Sequence, residues 1–231
     1  MPRSLLAGLV AVVAAIMPAA AWAQDGPTLS FDQPCYAEGD PMQYSGAGFT
    51  PGGEVNFLFS SLSTSRIGSY DTQADPAGAI AGSIDAPPED MFIDDDERSA
   101  MVGAAATDKT LADQGAPPDA QFGAALFRLT RWGVSAARPG GGTPRAAKPM
   151  RVSAYGFTRA VGETLYLQYR KGKKVLKAVK LGRLGDVCGD RAKTLKRGLP
   201  RGLRPGRYTL MFTTSPRRGD GERVTFTRRI R

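Results

Sequence analysis

The chain has 231 residues, of which 42% are hydrophobic and 23% are charged, and its formal net charge is +9. It contains no histidine, which removes the commonest general base, the usual partner of a serine or cysteine nucleophile, and any Cys/His zinc set. The length fits one large domain or two domains of about 100 residues each.

The N-terminus has the pattern of a secretory signal peptide. Arg3 supplies a positive start, residues 5–16 form an apolar run, and Ala21-Trp22-Ala23 has the small-x-small form of a cleavage site. A transmembrane anchor is the alternative, but the run is shorter than the ~20 residues that span a bilayer. We predict that residues 1–23 are removed. We also predict that the mature protein is secreted or resides in the cell envelope, without a lipid anchor, since the residue directly after the cleavage site is Gln24 and not a cysteine.

An internal repeat indicates two domains. Residues Pro41–Thr50 align with Pro149–Thr158 at an offset of 108, with identities and the same period-2 alternation. A chance match in a glycine-rich chain is the alternative. We predict an acidic domain at residues 24–126 and a basic domain at residues 127–231.

Alternating apolar residues predict strands in both halves. Two hairpins are predicted, one from Leu165–Tyr169 and Val175–Leu181, the other from Tyr208–Thr213 and Arg223–Ile230. The second hairpin turns at Gly219-Asp220-Gly221. Weak helical periodicity occurs only around residues 98–111. The predicted fold class is all-β, with two tandem immunoglobulin-like β-sandwich domains after the signal peptide.

Two segments resemble bacterial secreted immunoglobulin-like domains. Residues 46–52, Gly-Ala-Gly-Phe-Thr-Pro-Gly, match a G-x-G-F-x-P-G turn, and Asp75-Pro76-Ala77-Gly78 matches a D-x-x-G hairpin. The second half resembles a companion domain of actinobacterial proteins through Leu181-Gly182 and Cys188-Gly189, but it lacks the Pro-Gly pair at Arg159-Ala160-Val161. The resemblance implies a sandwich fold and roles in adhesion, spacing or binding.

Charge divides unevenly along the chain. Residues 24–127 contain 17 acidic and 3 basic residues, whereas residues 128–231 contain 27 basic and 5 acidic residues. Halves of opposite sign attract each other within one chain or between chains, most strongly at low salt.

The basic half holds the predicted contact surface, a site for acidic envelope polymers or for a protein partner. Its candidate residues are Arg170, Lys171, Lys173, Lys174, Lys177, Lys180, Lys193, Lys196 and Arg197. Strand alternation places Lys177 and Lys180 on opposite faces, so the charges form no single stripe. A solvated face is the alternative, and no recognised motif indicates specific nucleic-acid binding.

The acidic run Asp94-Asp95-Asp96-Glu97 lacks the spacing of a calcium-binding loop. We interpret it as a solvated loop or as a partner for the basic half, and we predict no metal site and no cofactor.

The two cysteines, Cys35 and Cys188, are predicted to pair in an oxidising compartment. Because they occupy different positions in the two repeats, an intrachain bridge would tie one domain to the other. An intermolecular bridge and two free thiols are the alternatives.

No catalytic residues are predicted, and the chain is interpreted as a non-enzymatic exported binding or scaffolding protein. One alternative is self-association between acidic and basic domains of neighbouring molecules. Another is a thiol enzyme in which Arg191 or Lys193 activates Cys188.

Overall fold

The computed structural model describes residues 26–61, 67–216 and 222–231. The predicted signal peptide and the Gly219-Asp220-Gly221 turn lie outside these residues. Within them, no helix is both long and apolar enough to cross a membrane.

The first β-sandwich pairs a three-stranded sheet with a five-stranded sheet. In spatial order the smaller sheet contains β1 (Thr28–Phe31), β3 (Pro41–Ala47) and β6 (Ile80–Asp85). The larger sheet contains β2 (Cys35–Ala37), β8 (Phe122–Thr130), β7 (Ser99–Asp108), β4 (Glu54–Ser61) and β5 (Ile67–Gln73). The short helices α1 (Glu89–Phe92), α2 (Lys109–Asp113) and α3 (Pro118–Gln121) connect its strands.

The second sandwich pairs a three-stranded sheet with a four-stranded sheet. The smaller sheet contains β13 (Arg191–Leu195), β10 (Met150–Tyr155) and β9 (Gly133–Ala137). The larger contains β12 (Lys174–Arg183), β11 (Thr164–Lys171), β14 (Gly206–Thr213) and β15 (Arg223–Ile230), and a 3₁₀ turn, η1 (Thr158–Ala160), precedes β11.

The strand order is that of immunoglobulin-type sandwiches. In the usual letters the first sandwich has sheets A-B-E and A′-G-F-C-C′, and the second has sheets A-B-E and C′-C-F-G. All paired strands are antiparallel except β2, which runs parallel to the end of β8. The predicted all-β tandem sandwich is confirmed, and so are the predicted strand pairs of both hairpins.

Each sandwich encloses its own hydrophobic core. In β4 the alternating residues Val55, Phe57 and Phe59 are buried, as the period-2 pattern predicts. Leu165, Leu167 and Tyr169 of β11 are buried in the second core. The two sandwiches are therefore stabilised by separate apolar clusters and meet through polar and covalent contacts.

Two sequence-based expectations require correction. The weakly helical segment at residues 98–111 is mostly the central strand β7, because its buried residues alternate at period 2 and its backbone pairs with β4 on one side and β8 on the other. The predicted division after residue 126 falls inside β8, whose residues Phe127 and Leu129 belong to the first core. The chain crosses between sandwiches at residues 131–132, a few residues later than predicted.

Candidate functional site

The two sandwiches meet through turns that recur in each half. Gly48 and Gly156, both at positive φ, precede the buried Phe49 and Phe157 at the end of the equivalent strands β3 and β10. A second turn also recurs, since Asp75–Gly78 and Asp186–Gly189 both have the form Asp-x-x-Gly and both lead into the third strand of the smaller sheet. In this second turn of the C-terminal half, Cys188 stands where the first half has Ala77.

A disulfide joins the sandwiches at this turn. Cys35, the first residue of β2, is bonded to Cys188 with an S–S distance of 2.08 Å and a Cα–Cα distance of 5.3 Å. Both cysteines are buried, at 1% and 2% exposure. The predicted intrachain bridge is confirmed, and it closes a loop of 153 residues between one sandwich and the other.

Asp40 forms the polar centre of the junction. Its carboxylate accepts hydrogen bonds from the Ala37 N–H at 2.8 Å and from the Thr158 hydroxyl at 2.5 Å. The Arg159 guanidinium also donates to it, with Nε at 2.8 Å and Nη2 at 2.7 Å. Hydrogen bonds to an ionised partner are roughly twice as strong as neutral ones, so this contact orients η1 of the second sandwich against the first.

The equivalent turn in the first sandwich is stabilised by a carboxylate of the same sandwich. There the Thr50 N–H donates to Asp108 Oδ2 at 2.5 Å, and the Asp108 side chain also caps α2 by accepting a hydrogen bond from the Leu111 N–H. Burial opposes ionisation of Asp108, but these hydrogen bonds outweigh it and hold the pKa below its usual value. The turn of the first sandwich is thus stabilised by a carboxylate of the same sandwich, Asp108, whereas the equivalent turn of the second is stabilised by Asp40 of the first.

A second polar cluster lies beside the disulfide. Arg128 Nη1 is 3.8 Å from Asp186 Oδ2, and the Arg98 guanidinium stacks 5.1 Å from the ring centre of Tyr155. Asp190 accepts the Gly156 N–H at 3.2 Å, and burial raises its pKa, with Asp186 adding to the effect. Arg128 of the first sandwich therefore faces the acidic Asp186 of the second. Asp40 of the first sandwich likewise faces the basic Arg159 of the second.

The predicted polyanion-binding residues lie along one edge of the second sandwich. Lys174, Lys177 and Lys180 are exposed on β12, the edge strand of the larger sheet, and Lys193 reaches this edge from β13, where its Nζ donates to the Lys180 carbonyl at 2.9 Å. Lys177 lies opposite Tyr169 and Lys180 opposite Tyr166 in the register, on the two faces of the sheet.

Several of these side chains have partners inside the chain. Arg170 donates to the Lys173 carbonyl at 2.9 Å, and Lys171 Nζ stands 5.6 Å from the ring centre of Tyr208. Lys196 and Arg197 are exposed just after β13. Lysines on an edge strand also discourage pairing with other chains, so part of this charge protects the edge. We call Lys174, Lys177, Lys180 and Lys193 the basic edge.

The acidic run at residues 94–97 forms the connection between α1 and β7. Asp95 Oδ1 lies 3.9 Å from Arg131 Nη2, and the Asp95 carbonyl accepts from Arg131 Nη1 at 3.3 Å. This places the run against the segment that joins the sandwiches. Nowhere in residues 26–61, 67–216 or 222–231 do three or more potential ligands gather where they could hold a metal ion.

The thiol-enzyme alternative lacks the group it needs. Cys188 is bonded to Cys35, and a disulfide sulfur is not a thiolate nucleophile. Arg191, one of the two residues expected to activate the thiol, instead donates from Nε to the Leu181 carbonyl at 3.2 Å.

Sequence reasoning missed Asp40, Arg159 and Asp186 at the junction. Two signals were present in the sequence. Arg159 stands at the repeat position that Pro51 occupies in the first half, so the departure from the repeat coincides with the interdomain contact. The Asp-x-x-Gly pattern of Asp75–Gly78 recurs at Asp186–Gly189, so the sequence indicated that Cys188 lies in a turn equivalent to one in the first half.

These features define a class of protein, a tandem immunoglobulin-type β-sandwich with a covalently tied junction. No protein-family model and no curated protein matches the chain.

Several solved structures show partial likeness to the chain. A tetra-tandem repeat from the extending region of a large adhesion protein is 13% identical, with 89% of this chain and 49% of that chain covered and a TM-score of 0.30. The chicken CNTN1 FN1–FN3 domains are 9% identical, with 87% and 63% covered and a TM-score of 0.28. E. coli alpha-2-macroglobulin is 10% identical, with 90% and 17% covered and a TM-score of 0.36. The chain spans less than two thirds of each of these, and the fold assignment rests on strand order.

Proposed function

We propose that this protein is a non-enzymatic binding or scaffolding module that acts outside the cytoplasm. The observation that carries the proposal is the junction, where the buried Cys35–Cys188 bridge and the Asp40 hydrogen bonds join two separate cores. A spacer must hold its domains in a fixed orientation, and the contacts at the junction support such a role. A disulfide of this kind persists in an oxidising compartment, which supports export.

The basic edge is the proposed contact surface for an acidic envelope polymer or an acidic protein partner. No described ion pair involves Lys174, Lys177, Lys180 or Lys193, so none of these charges is neutralised by a described carboxylate. Binding of a polyanion to such an edge is electrostatic and therefore weakens as salt is added.

The test uses poly-L-glutamate as the polyanion and measures binding over a range of salt concentrations. We expect saturable binding that weakens with salt and falls at least about tenfold, equivalent to about 1.4 kcal/mol, in a Lys174→Glu/Lys177→Glu/Lys180→Glu variant. The matched control is Arg151→Glu/Arg201→Glu/Arg204→Glu, which changes the net charge equally at residues outside the basic edge. Equal losses in the two variants would mean that net charge alone attracts the polymer, and the basic edge would not be the site.

Self-association is the second candidate, because charges of opposite sign remain exposed on the two sandwiches. Across the junction the described residues form only two ion pairs, Arg159–Asp40 and Arg128–Asp186. A molar mass that falls toward that of one chain as salt rises, measured by light scattering without added polymer, would identify this behaviour. A mass that stays at one chain at low salt excludes it.

A further inference from the structure

A cleft of about 390 Å³ opens at the junction, beside the Asp40 contact and apart from the basic edge. It is lined by residues of both sandwiches and of the segment between them. These include Glu38, Asp40, Trp132, Thr158, Arg159 and Glu222. Its volume lies within the range of small-molecule sites, roughly 300–1,000 Å³.

Trp132 provides an aromatic wall. It lies in the segment between β8 and β9, and its ring meets Phe157 edge to face at 6.2 Å between ring centres. Phe157 belongs to the second core, so this contact holds the indole in place. Nevertheless 52% of Trp132 is exposed, a large fraction for a tryptophan in a fixed position. A fixed and half-exposed ring is suited to stacking against a flat apolar face of a ligand.

Glu222 provides an unsatisfied acceptor. Its Oε2 is buried and has no hydrogen-bond partner in the part of the chain that the structure describes. Burial raises the pKa of this carboxyl, and the nearby Asp40 carboxylate adds to the effect. A buried polar atom without a partner is costly, whereas a ligand hydroxyl placed in the cleft would supply the missing donor.

The cleft carries charges of both signs and so offers an ionised ligand little net attraction. The carboxyl groups of Glu38 and Glu222 stand with the guanidiniums of Arg159 and Arg223, so a ligand charge of either sign would meet both attractive and repulsive groups. Arg159 is already engaged by Asp40, whose carboxylate it neutralises. Donors and acceptors thus stand together beside an aromatic ring, an arrangement that suits hydroxyl groups, each of which both donates and accepts.

We propose that the junction cleft binds a neutral saccharide of one or two rings. Trp132 stacks on the C–H face of a sugar ring, and Glu222 and Arg159 contact its hydroxyls. The site is separate from the basic edge, so the protein would hold an acidic partner through the second sandwich and a neutral glycan at its junction.

The test uses a panel of neutral sugars: glucose, galactose, mannose, N-acetylglucosamine and their β-linked disaccharides. The chain has two tryptophans, Trp22 and Trp132, so a Trp22→Phe background leaves Trp132 as the single tryptophan of the whole chain. We expect at least one sugar to change Trp132 fluorescence saturably with a Kd of about 1 mM or tighter. The glucuronate and glucosamine counterparts should bind at least about tenfold more weakly, because an ionised group loses hydration on entering the cleft and meets little net charge that would compensate for it.

Two variants locate the site by calorimetry. Glu222→Ala and Trp132→Leu should each weaken binding at least about tenfold, while Glu97→Ala, which removes an exposed carboxylate outside the cleft, should leave it unchanged. The triple lysine variant of the basic edge should also bind the sugar normally, which separates this site from the polyanion surface. The proposal is overturned if no neutral sugar in the panel binds, if the charged counterparts bind equally well, or if both cleft variants bind as the unsubstituted chain does.

Discussion

Asp40 belongs to the first sandwich, yet it accepts hydrogen bonds from Thr158 and Arg159 of the second. These hydrogen bonds account for the orientation of η1, the 3₁₀ turn where the sequence of the second half departs from that of the first. Thr158 is buried, so its hydroxyl depends on this carboxylate, whereas Arg159 is largely exposed and can turn to water. The two partners should therefore respond differently to substitution.

We expect Asp40→Ala to lower the free energy of unfolding by about 1–3 kcal/mol, because the Ala37 N–H and the Thr158 hydroxyl lose their acceptor in a buried place. Asp40→Asn keeps one acceptor oxygen and should cost less. Urea unfolding provides the measurement, with the exposed Asp85→Ala as the control at less than about 0.5 kcal/mol. If Asp40→Ala and Asp85→Ala unfold alike, Asp40 does not stabilise the junction.

At the scale of elements, the recurring Asp-x-x-Gly turns position the third strand of each smaller sheet. Gly78 and Gly189 have φ values of +76° and +69°, and a Cβ at either position would collide with the backbone carbonyl of Phe49 or Phe157. Both glycines are therefore required by conformation and by space. In the second sandwich the same turn carries Cys188, so its geometry also places the disulfide sulfur.

Gly189→Ala should destabilise the protein by more than about 1–2 kcal/mol, since the left-handed conformation alone costs an alanine that much and the collision adds to it. Gly78→Ala should behave similarly for the same reason. The control is Gly185→Ala, a position without positive φ where the nearest atom to a Cβ is the Asp190 carbonyl oxygen at 3.9 Å. Thermal unfolding would contradict the role of the turn if Gly185→Ala lowered the midpoint as much as Gly189→Ala.

At the scale of the whole molecule, the disulfide links two cores that share no apolar cluster. Its loop of 153 residues is long, and closing a long loop removes much entropy from the unfolded chain. The bridge therefore affects both the stability of the chain and the relation of its domains.

Replacing both cysteines, Cys35→Ser/Cys188→Ser, should lower the unfolding free energy by up to about 5 kcal/mol, the loop-entropy value for a bridge of this span. Small-angle scattering of the folded variant should also show a broader range of interdomain separations. The single variant Cys35→Ser, kept under reducing conditions, serves as a control for the loss of the bridge without the second substitution. Unchanged stability together with an unchanged scattering profile would show that the noncovalent contacts alone fix the junction.

Much of the architecture was predictable because it depends on local patterns. Alternation at Val55, Phe57 and Phe59 and at Leu165, Leu167 and Tyr169 identified buried strands, and the repeat identified two equivalent units. The pattern failed at residues 99–108, where alanines favour helix locally but the neighbouring strands β4 and β8 determine the backbone.

The sequence by itself determined the strand periodicity and the separation of charge, because both follow from residue types and their order, and it made a Cys35–Cys188 bridge one of three possible states of the two cysteines. Only the tertiary structure revealed the Asp40 contacts and the cleft beside Trp132. Asp40 lies 118 positions from Thr158 and 119 from Arg159. Which turns meet across the junction depends on how two complete sandwiches pack, a relation that no local pattern encodes.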